Sequence, residues 1–63
     1  GQAVISTDGG AVNVREKPDI KSPIVAALPD GTVVKVFERV NDWFLIEDGS
    51  TAGFVNAEFI RQL

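Results

Sequence analysis

The chain has 63 residues, 44% hydrophobic and 24% charged, with a net charge of −3 and neither Cys nor His. That length holds one domain with one core, and a domain so small buries only about 60% of the surface its unfolded chain exposes. No disulfide framework or Cys-ligated metal centre is available, and six scattered basic residues against nine acidic ones argue against nucleic acid and anionic membrane surfaces as partners.

Ala3-Val4-Ile5 is a short apolar start, followed by the turn cluster Thr7-Asp8-Gly9-Gly10. Ala11 to Arg15 alternates, with Val12 and Val14 on one face. Glu16 to Pro23 reads as an irregular loop, because Pro18 and Pro23 cannot donate ladder hydrogen bonds. Ile24 to Leu28 is the next strand, closed by the turn signal Pro29-Asp30-Gly31. Thr32 to Val40 is the longest strand, dense in β-branched residues, with Val34 and Val36 sharing a face. Asn41-Asp42 turns the chain into a strand over Trp43–Glu47, and Asp48-Gly49 is a hairpin signal. Gly53-Phe54-Val55 is a short strand whose glycine suits a bulge or a close backbone approach. Asn56 to Ile60 makes one tight helical turn that returns Ile60 to the core.

No segment of about ten residues keeps a helical period without a Pro, Gly or β-branched interruption. About six short strands in so short a chain cannot build two large sheets, so the expected fold is all-β, a small, strongly bent, partly open barrel. No apolar run approaches the roughly 20 residues a membrane span needs, and no membrane insertion is expected. The chain has no Met, even at position 1, and reads as one domain, residues 1–63, excised from a larger protein.

The order of these segments resembles the bacterial SH3-like domains. Ala11-Val12-Asn13-Val14-Arg15 is similar to that family's LNVR opening, with Pro18 following at the family spacing. Ser22-Pro23-Ile24-Val25, Leu28-Pro29-Asp30-Gly31-Thr32 and Asn41-Asp42-Trp43-Phe44-Leu45-Ile46 resemble its S-x-V-I, L-x-x-G-T and N-G-W-Y-K-V steps. Gly53-Phe54-Val55-Asn56 and Phe59-Ile60 resemble G-W-V-H and Y-L. The resemblance covers residues 11 to 60. It implies an SH3-like barrel of five to seven short strands with one short 3-10 turn. It also implies an accessory module of bacterial cell-wall hydrolases and of surface or periplasmic proteins, some of which bind peptidoglycan peptides. Ala11 in place of Leu implies a smaller core site, and Phe44, Phe54, Asn56 and Phe59 replace Tyr, Trp, His and Tyr, stripping polar handles from the ligand surface.

The chemistry-bearing residues point away from catalysis. Without His or Cys the usual general base and thiolate nucleophile are missing, and the carboxylates Glu16, Asp19, Glu47 and Asp48 sit in turn or loop sequence where solvated surface accounts for them. No metal site or cofactor is expected. On the strand from Trp43, alternation puts Phe44 and Ile46 inward and leaves Trp43 and Leu45 outward, near Phe54. Such a partly exposed apolar cluster marks either a binding groove or a cap under the Glu16–Pro23 loop. Arg15 either clamps a ligand carboxylate or holds the loop or a neighbouring acid. Asn13 either satisfies backbone groups or faces a ligand. The candidate groove therefore comprises Asn13, Arg15, Trp43, Leu45, Phe54 and Asn56.

The functional expectation is a non-catalytic, monomeric binding module of the bacterial cell envelope, periplasmic or extracellular, that takes cell-wall (peptidoglycan) peptides. The alternative is a structural or protein–protein interaction domain docking against a neighbouring domain or partner protein. A reader of proline-rich peptides fits less well, since such grooves stack tyrosines and the chain has none.

Overall fold

The computed structural model describes residues 1–63. Seven strands follow in chain order: β1 (Gln2–Ile5), β2 (Ala11–Arg15), β3 (Ile24–Pro29), β4 (Val33–Val40), β5 (Trp43–Asp48), β6 (Thr51–Asn56) and β7 (Ile60–Gln62). A 3-10 turn over Ala57–Phe59 separates β6 from β7. All pairings are antiparallel, in the order β3-β2-β6-β5-β4-β1-β7. A flat sheet of seven strands would be roughly 30 Å wide and one layer thick. The extents are instead 24 × 23 × 23 Å, so the sheet coils on itself without pairing its two edges. That is the partly open barrel the segment pattern predicts.

The coil encloses one core. Ile5, Val14, Val34, Ile46 and Val55 come from five strands and are all at most 2% exposed. Phe44 joins them, and Val36 and Ile60 pack against them half-buried. The inward assignment of Phe44, Ile46, Val34 and Val36 holds because alternation along a strand is fixed by the pleat. Phe37 follows the same alternation outward, 59% exposed. The rule breaks one residue later, where a register shift between Val36 and Glu38 sets Glu38 opposite the outward Leu45, so that two consecutive residues of β4 face out.

The turns carry the geometry. Gly31, at φ +88°, is the third residue of a turn closed by the Thr32 N–H donating to the Pro29 carbonyl, a position that requires positive φ. The Asp30 carboxylate accepts the Thr7 N–H at 2.8 Å and so ties two turns together. The Thr7–Gly10 turn is closed by the Thr7 hydroxyl, which accepts from Gly9 N and donates to the Gly10 carbonyl.

Several details depart from the sequence-based expectation. The β5–β6 hairpin pairs Asp48 with Thr51, so its two-residue loop is Gly49-Ser50 and not Asp48-Gly49; β6 accordingly starts at Thr51, two residues before Gly53. The strand β7 carries no apolar alternation beyond Ile60 and is made by its pairing with β1. Ala11 is exposed, because the inward positions of β2 are Val12 and Val14. The Ala at this position therefore trims the outer surface and leaves the core untouched.

Candidate functional site

The β5–β6 hairpin has one dry face and one wet one. Register places Phe44 opposite Val55 and Ile46 opposite Gly53 on the inner face, and Trp43 opposite Asn56 and Leu45 opposite Phe54 on the outer face. Strand β2 crosses β6 with Arg15 opposite Phe54. Two residues back along β2, Asn13 falls beside Asn56, since antiparallel registers run in opposite directions.

Gly53 makes that crossing possible. A Cβ built on it would lie 2.6 Å from a methyl of Val14 and 2.7 Å from the Arg15 carbonyl oxygen. The glycine is required by the close approach of the two strands; its φ is not in the left-handed region.

The loop over Glu16–Pro23 folds back on the outer face and is internally bonded. Ser22 is buried, 8% exposed, and its hydroxyl accepts the Lys17 N–H at 2.8 Å. The Glu16 N–H donates to the Pro23 carbonyl at its base, and the Ser22 N–H to the Asp19 carbonyl near its tip. One Arg15 guanidinium nitrogen donates to the Ser22 carbonyl at 2.9 Å. Of the two roles open to Arg15, holding the loop is thus realised, through a backbone oxygen and not through an acid. The remaining N–H donors of its fork have no partner in the chain.

Between this loop, the outer face and the 3-10 turn lies an open groove of about 390 Å³. Asn13 and Arg15 line it from β2, Ile20 from the loop tip, Trp43 from β5, and Asn56 and Glu58 from the start of the 3-10 turn. Trp43 is half-buried and lines the groove. The Asn56 side-chain oxygen caps the turn by accepting the Glu58 N–H at 3.1 Å, which leaves the amide NH₂ for a ligand. The Asn13 side chain is exposed and makes no hydrogen bond within the chain, so the backbone-satisfying role considered for it is not realised.

Four of the six candidates, Asn13, Arg15, Trp43 and Asn56, therefore meet in one groove. Leu45 and Phe54 do not line it; they pair with each other one step further along the outer face. The residues that sequence reasoning missed are Ala11, Val12, Ile20, Glu58 and Phe59. Ile20 and Glu58 lie in a loop and a one-turn helix, where no periodicity assigns a face. Only the alternation of β2 gave a signal for Ala11. A second concavity, about 280 Å³ between β1, β4 and the β5–β6 turn, is lined mainly by polar side chains and holds no aromatic residue. No group of three carboxylates converges to hold a metal ion.

Residues 10–61 match the family model for the bacterial SH3 domain. The chain belongs to the bacterial SH3 domain family. The match runs from the turn before β2 into β7 and so contains every residue of the groove. Bacterial SH3 domains are generally binding modules and usually not catalytic. No curated protein matches the chain.

Proposed function

We propose that this bacterial SH3 domain is a non-catalytic module of the cell envelope that takes short peptidoglycan peptides in the Trp43 groove and so holds its parent protein on the cell wall. One observation carries the reading: Trp43, Arg15, Asn13 and Asn56 meet at a single open concavity. An indole supplies apolar contact area, the guanidinium matches a carboxylate, and two carboxamides can bond peptide groups. A shallow groove of this size suits an extended peptide better than an enclosed small molecule. Its affinity is modest, and the benefit of binding is a raised local concentration for whatever domain is linked to it.

Titration with soluble peptidoglycan fragments tests this. Trp43 fluorescence and the backbone amides of Asn13, Arg15 and Asn56 should shift in saturable fashion at millimolar ligand. No response there, with the folded domain intact, overturns the reading.

A second reading, docking against a neighbouring domain or partner protein, draws on exposed apolar side chains at one edge. Ile20 is 68% exposed, and Ile24 and Val25 on the edge strand β3 are about half exposed. Docking to the neighbouring domain or partner protein that survives Trp43→Ala but is lost after Ile24→Ser would favour this second surface.

A further inference from the structure

We propose that the groove selects short peptides that bring one free carboxylate and one free ammonium, the latter from a released N-terminus or from a side-chain branch, holding the carboxylate at Arg15 and the ammonium at Glu58. The inference rests on the peptide-binding reading above and adds to it the class of peptide and its direction.

Two opposite charges line the groove, and neither is satisfied within the chain. The chain's one ion pair is Arg39 with Asp42, 3.8 Å apart at the β4–β5 turn. Arg15 has no carboxylate partner, and its single side-chain hydrogen bond goes to the Ser22 carbonyl. That bond fixes the guanidinium in place and leaves most of its fork free to meet a carboxylate through two parallel bonds. Glu58 is exposed and its carboxylate has neither an ion-pair nor a hydrogen-bond partner. Its root is nonetheless fixed, because the Glu58 N–H is the one that Asn56 caps.

The spacing of the two roots sets the length of the ligand. Arg15 lies opposite Phe54, and Glu58 is four residues further along the chain, two of them extended and two in the 3-10 turn. With strand and 3-10 rises the separation along β6 is roughly 10 Å. An extended peptide covers that in about three residues. Between the two charges, Trp43 stands opposite Asn56 and presents its ring to the middle of such a ligand. The free amides of Asn13 and Asn56 are within the same lining and can bond its peptide groups. An internal segment of a folded protein brings neither terminal charge, and it would leave Glu58 facing uncharged backbone. The groove therefore discriminates released or branched short peptides from intact protein chains.

Three probes test the assignment against the intact domain: Ala-Ala-Ala, its N-acetyl form and its C-terminal amide, each followed through Trp43 fluorescence. Each cap should weaken binding about fivefold, the scale of one lost partly exposed ion pair, and about 0.5 M salt should narrow the difference. In Glu58→Gln the penalty for N-acetylation should vanish while the penalty for amidation persists. Glu58 is exposed and bonded only through its backbone, so this variant keeps the fold. Equal affinity for all three peptides, or an acetylation penalty unchanged in Glu58→Gln, overturns the inference while leaving the groove reading standing. Peptidoglycan fragments that bind while all three peptides fail also overturn it. Silence from Trp43 with every ligand removes both readings together.

Discussion

The inner and outer faces of the β5–β6 hairpin are built from alternate residues of the same two strands, yet they follow different rules. Inside, Ile46 and Val55 are fully buried and Phe44 nearly so, and the one small residue, Gly53, is there because another strand passes where its side chain would be. Outside, Trp43, Leu45, Phe54 and Asn56 are all half-buried, and none is forced by close packing. Volume decides the inner residues and leaves the outer ones free. A large indole and an unpaired Arg15 gathered on the free face are then informative in a way that a buried leucine is not.

The largest effect should come from the inner face. Ile46→Ala removes a fully buried side chain from a closely packed centre, and a loss of about 2–5 kcal/mol is expected. A domain of this length has of the order of 3–9 kcal/mol in total, so urea unfolding should find the variant largely unfolded or close to it. The matched outer change, Leu45→Ala, should cost less, about 1–2 kcal/mol, since part of that side chain is already in water. Similar losses for the two would erase the distinction between the faces.

Gly53→Ala comes next. The new methyl meets a side chain at 2.6 Å and a backbone oxygen at 2.7 Å, and only the side chain can turn aside. Overpacking of this kind costs about 1–3 kcal/mol. Gly49→Ala is the control: that glycine has nothing within 4 Å of the added carbon but a φ of +60°, so its cost is backbone strain alone, about 1 kcal/mol. Chemical denaturation should rank Gly53→Ala as the more damaging, and a reversed order would mean that β2 and β6 approach less closely than described.

The third effect concerns how the outer face is held. Ser22→Ala removes the acceptor of the Lys17 N–H at a buried site, and an unpaired buried donor costs about 1–2 kcal/mol. Because Arg15 donates to the Ser22 carbonyl, the variant should also loosen the guanidinium. Ligand affinity should fall together with stability. A drop in stability alone, with peptide binding unchanged, would separate the loop from the groove.

Much of the fold was legible in the sequence for the same reason that the inner face is rigid. Alternation in Val12/Val14, Val34/Val36 and Phe44/Ile46 sets which side is buried, and Pro and Gly mark where strands end. What escaped was decided by pairing partners far along the chain. Strand β7 exists because β1 offers it an edge, and Arg61 and Gln62 carry no pattern of their own. The hairpin loop moved one residue because the register of β5 on β6 outweighs the Asp-Gly signal. The groove was half legible. Trp43, Arg15 and Asn13 lie on strands, so alternation gave them a face, whereas Asn56 was read into a helical turn and entered only through the family resemblance. Ile20 and Glu58 reach the groove only through the folding back of a loop and the 3-10 turn that follows β6, which no local pattern encodes.

Ile20 supplies the smallest expected change in stability and the most direct test of what the outer face is for. It is 68% exposed at the tip of a loop held by the backbone and by Ser22, so Ile20→Ser should alter unfolding free energy by no more than about 0.5 kcal/mol. Yet the side chain lines the groove across from Trp43, and a bound peptide would bury part of it. Losing that apolar contact should weaken peptide binding about two- to fivefold. If Ile20→Ser instead destabilises the domain by more than about 1 kcal/mol, the loop and Trp43 are packing partners. The outer face would then obey the same volume rule as the inner one, and the Trp43 groove would be a by-product of packing with no ligand to explain it.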